Sequence, residues 1–135
     1  MNREQASELK TTPALNPQTI SSDTTTAGTI IDTQGYDALF FAMQSGTLTD
    51  GTYTPLIQHG DESDLSDAAA VDDADLTATE ASAAFAATDD NVCKKIGYLG
   101  TKRYVRLSFV SASTSSGGVI GAQAVLGRGR QQPEA

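Results

Sequence analysis

Residues 103–110 read Arg-Tyr-Val-Arg-Leu-Ser-Phe-Val, and polar and apolar side chains alternate along them. Because successive side chains of a β-strand point to opposite faces of the sheet, one face collects Val105, Leu107 and Phe109. The other face carries Tyr104, Arg106 and Ser108. This pattern predicts a strand of an antiparallel sheet with one face in the core.

A second apolar segment lies at residues 37–44, Asp-Ala-Leu-Phe-Phe-Ala-Met-Gln. In a strand, Leu39, Phe41 and Met43 would share one face. Phe40 and Ala42 make the opposite face partly apolar as well. Apolar side chains on both faces predict a central strand of a packed sheet.

Turn signals separate these segments from further strand patterns at 29–32, 53–59, 93–99 and 119–126. Asp50-Gly51 is a strong hairpin signal and predicts that the strand after it, 53–59, pairs with the one before it. Pro55 cannot donate a ladder hydrogen bond, so its strand is expected at a sheet edge or a bulge. About seven or eight short strands at hairpin spacing indicate an all-β, jelly-roll-like antiparallel β-sandwich.

The ends of the chain differ from this β-rich region. Residues 1–17 are polar and include two prolines, so they predict a flexible N-terminal arm, and residues 131–135 predict a frayed tail. Residues 18–130 are predicted to form one β-sandwich domain. Within it, residues 61–90 are rich in Ala and Asp and predict a long excursion with a short helical turn and one irregular strand.

The composition predicts a thinly filled core. Leu, Ile, Val and Phe supply 26 of the 135 residues, whereas Ala, Gly, Ser and Thr supply 60. With a net charge of −8, this composition lies close to that of disordered proteins. We therefore expect a lone monomer to be marginally stable and to gain stability from a partner surface.

Charge is unevenly distributed along the chain. Residues 11–93 hold fourteen acids and no base, whereas residues 94–133 hold seven bases and no acid. One interpretation is that the two parts neutralise each other within one domain. The other is that a face of the protein meets an oppositely charged protein surface. Nucleic acid is a weaker third interpretation, because the isoelectric point is near 4.3, and we expect no nucleic-acid partner.

Residue counts disfavour several classes of function. One cysteine and one histidine exclude an internal disulfide and a Cys/His zinc site. No apolar run approaches the ~20 residues that cross a bilayer. Residues 1–10 carry acids and lack an apolar core segment, so they are unlike a secretory signal. We therefore expect no cofactor, no metal and no membrane partner.

Three places could carry chemistry, and each has a simpler structural explanation. His59 lies beside two acids, but no nucleophile motif accompanies it. Cys93 precedes two lysines that would favour a thiolate, but no second histidine can serve as its base. The acidic run 61–67 offers oxygen ligands without the pattern of a calcium loop, which leaves loose cation binding open. No catalytic residue is predicted, and the protein is not expected to be an enzyme.

Residues 102–106, Lys-Arg-Tyr-Val-Arg, interleave basic side chains with an aromatic one. Some nucleic-acid readers share this pattern, but Tyr and Arg are also favoured anchors of protein interfaces. Because the chain as a whole is acidic, the protein interface is the better interpretation. The predicted partner-contact residues, besides the N-terminal arm, are Lys102, Arg103, Tyr104 and Arg106.

The order of the motifs resembles a known family. Residues 26–40 (Thr-Ala-Gly-Thr-Ile-Ile-Asp-Thr-Gln-Gly-Tyr-Asp-Ala-Leu-Phe) and 45–57 (Ser-Gly-Thr-Leu-Thr-Asp-Gly-Thr-Tyr-Thr-Pro-Leu-Ile) are similar to segments of bacteriophage capsid cement proteins of the Bordetella phage type. Residues 95–107 (Lys-Ile-Gly-Tyr-Leu-Gly-Thr-Lys-Arg-Tyr-Val-Arg-Leu) and 118–126 (Gly-Val-Ile-Gly-Ala-Gln-Ala-Val-Leu) continue the likeness. The resemblance implies a jelly-roll-like domain on the outer surface of the capsid, a homodimer that binds the major capsid protein.

We therefore expect a structural virion protein that cements neighbouring major capsid protein subunits of an icosahedral phage head. The alternative is a receptor- or glycan-binding β module on the virion or tail, drawn from the same fold class. With no Trp and four Tyr, the chain is poorly supplied with the aromatic platforms that glycan sites use. A hydrolase that uses His59 is a third, weaker hypothesis.

Overall fold

A computed structural model describes residues 9–129 as nine β-strands and one single-turn 3-10 helix, Asp73–Asp75. The strands are β1 (Lys10–Ile20), β2 (Thr25–Asp32), β3 (Tyr36–Leu48), β4 (Thr52–Gly60), β5 (Ala69–Ala70), β6 (Phe85–Ala86), β7 (Cys93–Tyr98), β8 (Tyr104–Ala112) and β9 (Gly118–Gly129). Every strand pairing is antiparallel. No helix among these residues is long and apolar enough to cross a membrane.

The strands form two sheets that pack face to face. The first sheet has the order β1-β9-β3-β7, and the second has the order β2-β8-β4-β5, with β6 also paired to β4. Apart from β4, β5 and β6, consecutive strands lie in opposite sheets, which is the connectivity of a jelly roll. The predicted all-β, jelly-roll-like sandwich is confirmed.

The expected hairpin at Asp50-Gly51 is wrong. The turn is present, with Gly51 at a φ of +92°, but β3 pairs with β7 and β9, and β4 pairs with β8. The turn therefore carries the chain from one sheet to the other. Turn residues specify a chain reversal, whereas the choice of sheet depends on burying the apolar faces of both strands against each other.

The core lies between the inner faces of β3 and β8, as their alternating patterns predicted. Leu39, Phe41 and Met43 of β3 are buried, and so are Val105, Leu107 and Phe109 of β8. Phe40 and Ala42 on the other face of β3 are half-buried. Because β3 lies between β9 and β7, it is the central strand that its two-sided apolar character indicated.

Residues 61–90 close one open side of the sandwich. The short strands β5 and β6 pair with β4 of the second sheet. Leu76 bridges to Tyr98 on β7 of the first sheet, and the Thr77 amide donates to the Gly97 carbonyl at 3.0 Å. The predicted excursion thus holds a single 3-10 turn and two two-residue strands, and it joins the edges of both sheets.

Pro55 occupies a local edge inside β4. On one side it pairs with Phe109 of β8. On the other side, β6 pairs with residues 52 and 53 and β5 with residues 58 and 59, so neither reaches Pro55. Its missing N–H therefore costs no ladder hydrogen bond.

The predicted boundary of the N-terminal arm is wrong. Residues 10–17 belong to β1, the edge strand of the first sheet, rather than to a flexible arm. Pro13 and Pro17 are tolerated because the strand has one free side and its register shifts on both sides of Leu15. Residues 1–8 of the predicted arm and the predicted tail 131–135 lie outside the described residues.

Candidate functional site

The four predicted contact residues occupy two different places. Lys102 and Arg103 lie in the connection between β7 and β8, and both take part in ion pairs within the chain. Tyr104 and Arg106 lie on β8 and point away from the core, because their neighbours Val105 and Leu107 are buried. The structure therefore separates a loop pair from a sheet-face pair.

The two loop cations are held by acids from the first half of the chain. Lys102 Nζ lies 2.9 Å from Asp61 Oδ2. The Arg103 guanidinium donates to both carboxylate oxygens of Asp32 at 2.8 and 2.9 Å, and to Gln34 Oε1 at 2.6 Å. These hydrogen bonds lower the pKa of the Asp32 carboxyl below its usual value.

These contacts bear on the uneven charge distribution. A third ion pair joins Lys94 to Asp89 at 3.9 Å. Each of the three pairs brings a base of the 94–133 segment to an acid of the 11–93 segment. Neutralisation within the domain therefore accounts for part of the asymmetry, and the charges that remain for a partner are fewer than the sequence suggested.

The sheet-face pair lies in the middle of the second sheet, on a surface that we call the β8 face: Ile30, Leu56, Gln58, Tyr104, Arg106 and Val110. Arg106 stands between Ile30 of β2 and Gln58 of β4, and its Nη2 donates to Gln58 Oε1 at 2.8 Å. Its Nε is buried and has no hydrogen-bond partner among the described residues. Val110 is 38% exposed on the same face.

One end of the sandwich is closed by carboxylates, a feature that the sequence analysis missed. Asp50 accepts hydrogen bonds from the amides of Ser115, Ser116 and Gly117 at 2.8–3.1 Å and from the Ser115 hydroxyl at 2.6 Å. Asp23 accepts from the Thr114 amide and hydroxyl at 2.8 and 2.6 Å. Both carboxylates thus hold the loop between β8 and β9, and these hydrogen bonds lower the pKa of each carboxyl.

Acid is expected to loosen this end. A carboxyl whose pKa is lower in the folded than in the unfolded state adds stability above its unfolded pKa of about 4, and that stability is lost as the pH falls through the folded value. We expect the melting temperature to fall below about pH 4. Asp50→Ala should melt lower than the parent at pH 7 and show a flatter acid limb in circular dichroism. Asp72→Ala, an exposed acid without a side-chain cap bond, is the matched control; equal melting of the two variants would contradict the prediction.

Two of the three places considered for chemistry form hydrogen bonds within the chain. His59 Nδ1 lies 2.8 Å from the Tyr98 hydroxyl oxygen, which also accepts a hydrogen bond from the Lys102 amide at 3.1 Å. Cys93 is exposed at the start of β7. In the acidic run 61–67, the Asp67 carboxylate accepts hydrogen bonds from the backbone amides of Asp61 and Glu62. Among residues 9–129, no group of three or more His, Cys, Asp or Glu side chains could hold a metal ion.

Residues 9–129 also form at least two concave surfaces. A groove of about 550 Å³ crosses the outer face of the first sheet, between the bulged part of β1 and the strands β9 and β3. A cleft of about 520 Å³ lies between the β2–β3 turn and the loop that carries Lys102 and Arg103. The groove combines residues distant in sequence, and the sequence analysis did not find it.

The chain matches no protein-family model, no curated protein and no solved structure.

Proposed function

We propose that this protein is a capsid cement subunit, which binds the outside of an icosahedral phage head as a homodimer and ties neighbouring major capsid protein subunits together. Three features support the proposal. The motif order resembles cement proteins, the jelly-roll connectivity is what that resemblance implies, and the β8 face has the composition of an interface.

The strongest structural support for the proposal comes from the β8 face. Interface centres are enriched in Tyr and Arg set among apolar side chains, and here Tyr104 and Arg106 stand among Ile30, Leu56 and Val110. The Arg106 Nε, buried without an acceptor among residues 9–129, leaves part of the hydrogen-bonding capacity of the guanidinium unused. A carboxylate or carbonyl oxygen of a partner would fill that capacity once the side chain adjusts.

The mechanism that we propose is mechanical. A subunit that spans a joint between capsid proteins resists their separation, and a homodimer offers two such attachments at once. Each contact can be weak, because the second attachment forms at a high effective concentration. A thinly filled core also suits this role, since binding of the folded form to the shell stabilises it.

Reconstitution tests the proposal directly. Heads of the virus that carries the gene, assembled without this protein, are mixed with the purified chain and sedimented. We expect saturable co-sedimentation and a higher disruption temperature of the loaded heads. Heads that bind no protein, or loaded heads that break at the same temperature as bare heads, would overturn it, and binding to a glycan panel instead would favour the receptor-binding alternative.

Arg106→Ala should weaken binding to heads. Truncation of an interface anchor costs about 2 kcal/mol or more, so an increase in the dissociation constant of roughly thirtyfold or greater is expected. Asp72→Ala removes one charge from an exposed position outside the strands of both sheets and serves as the control. Equal affinities of the two variants would remove the β8 face from the proposal.

A further inference from the structure

The groove on the first sheet has a floor of small residues and a raised wall. Ala42 and Gly46 of β3 and Gly121 of β9 line it, with Pro17 packed over Gly121 and Val119 beside Gly46, so the small side chain of Ala42 is the low part of the floor. Pro13 and Pro17 of β1 line the opposite wall, where the register shifts of β1 interrupt its pairing with β9. An extended chain could therefore lie along this wall, above Ala42.

The groove also gathers the carboxamide side chains that the rest of the domain leaves unused. Residues 9–129 contain seven Asn and Gln residues. Gln34 and Gln58 bind arginines, and Gln18 donates to the carbonyl of Asn16. The four others have exposed side chains with no hydrogen bond to another described residue, and all line the groove: Asn16, Gln44, Asn91 and Gln123.

The lining is uncharged, although the chain has 9 basic and 17 acidic residues. A carboxamide both donates and accepts hydrogen bonds, as a peptide group does. An occupant that complements four carboxamides should therefore offer donors and acceptors together. Because the lining supplies no charged group to pair with an ion or an acidic peptide, an uncharged occupant fits it better.

The register of the sheet favours a polypeptide. Gln44 of β3 pairs with Gly121, and Gln123 pairs with Ala42, so the two glutamines are diagonal neighbours on adjacent strands. Such neighbours lie about 7–8 Å apart. Two residues of an extended chain span roughly 6.6–6.8 Å, so like-oriented peptide groups of one strand can meet both glutamines.

We propose that this groove binds an extended, uncharged polypeptide segment of a partner protein, held through its backbone by Gln44 and Gln123. The inference rests on the proposed function for the identity of that partner, the major capsid protein. The β8 face and the groove lie on opposite sheets of the sandwich. One subunit could then contact two neighbouring capsid proteins, which is the geometry that a cement requires.

The test compares the double variant Gln44→Ala/Gln123→Ala with Gln18→Ala, an exposed glutamine of β1 outside the lining. Both should retain the parent melting temperature and circular dichroism, because the replaced side chains are exposed. Binding to heads should fall at least tenfold in the double variant and stay at the parent level in Gln18→Ala. Equal binding by both variants overturns the groove assignment and leaves the proposed function intact.

A second measurement separates the two proposals. The side-chain amide signals of Gln44 and Gln123 are followed by NMR during titration with a blocked neutral peptide, acetyl-(Ala-Thr)3-amide, with its aspartate-containing counterpart (acetyl-(Ala-Asp)3-amide) and with maltotriose. Shifts with the neutral peptide alone support the groove even if the protein fails to bind heads. Shifts with maltotriose but not with the peptide, or with none of the three probes, overturn it.

Discussion

Replacing Gly28 with alanine is expected to prevent the sandwich from closing. A Cβ at this position would lie 2.2 Å from the carbonyl oxygens of both Ala14 on β1 and Leu107 on β8. Both obstacles are backbone atoms of paired strands, so no side-chain rotation can relieve the clash. We expect a loss of about 4 kcal/mol or more in the free energy of unfolding, enough to leave a marginal domain largely unfolded.

Gly35→Ala provides the matched comparison. Gly35 has a φ of +90°, but a Cβ there meets nothing within 4 Å. The Gly35→Ala substitution should therefore lower the free energy of unfolding only by the cost of a left-handed backbone conformation for alanine, roughly 1–2 kcal/mol. Urea unfolding monitored by circular dichroism should rank the variants as parent, Gly35→Ala and Gly28→Ala in decreasing stability, and a Gly28→Ala protein as stable as Gly35→Ala would contradict the packing of β1 against β2 and β8.

Strand positions and buried faces could be predicted from the sequence because they depend on the two-residue period of a strand. The faces of β3 and β8 follow from residues adjacent in sequence. Sheet membership depends instead on non-local pairing: Phe41 pairs with Ile96 and with Ala124, more than fifty residues away in either case. No local pattern around Asp50-Gly51 carries that information, which is why the expected hairpin was wrong.

The candidate sites also divide into features that the local sequence predicts and features that depend on residues distant in sequence. Arg106 could be placed on an outward face from its alternation alone, and the structure places it there. The sequence pattern around Lys102 and Arg103 also predicted partner contacts. Both side chains instead form ion pairs within the chain, with Asp61 and Asp32, which are distant in sequence. The groove was missed because its four carboxamides come from separate elements, and because the prolines of β1 were interpreted as signs of a flexible arm.

The region 61–90 shows how a segment with little apolar content can still belong to the core. Its few large apolar side chains, Leu65, Val71, Leu76 and Phe85, are all buried. Irregular segments separate these four side chains, and each side chain packs into the open side of the sandwich. Their spacing therefore matches neither the period of a helix nor that of a strand. The excursion is therefore structural, and its removal would expose the edges of β4 and β7.

Phe85→Ala tests this conclusion. The Phe85 ring is fully buried, lies 6.3 Å from the Phe109 ring between centroids, and has Lys94 Nζ 5.0 Å above it. The backbone of Phe85 also pairs with Tyr53 of β4. Loss of a buried Phe costs about 3–5 kcal/mol, and we expect the whole domain to lose that stability in one cooperative transition.

The control for this prediction is Phe40→Ala, the same chemical change on the half-buried outer face of β3. It leaves no enclosed cavity, so its cost should be less than half as large. Urea unfolding is followed by far-UV circular dichroism and by hydrogen exchange of the β8 amides. If Phe85→Ala left the protection of the β8 amides and the unfolding midpoint at the parent values, residues 61–90 would be an appendage rather than the element that joins the two sheets.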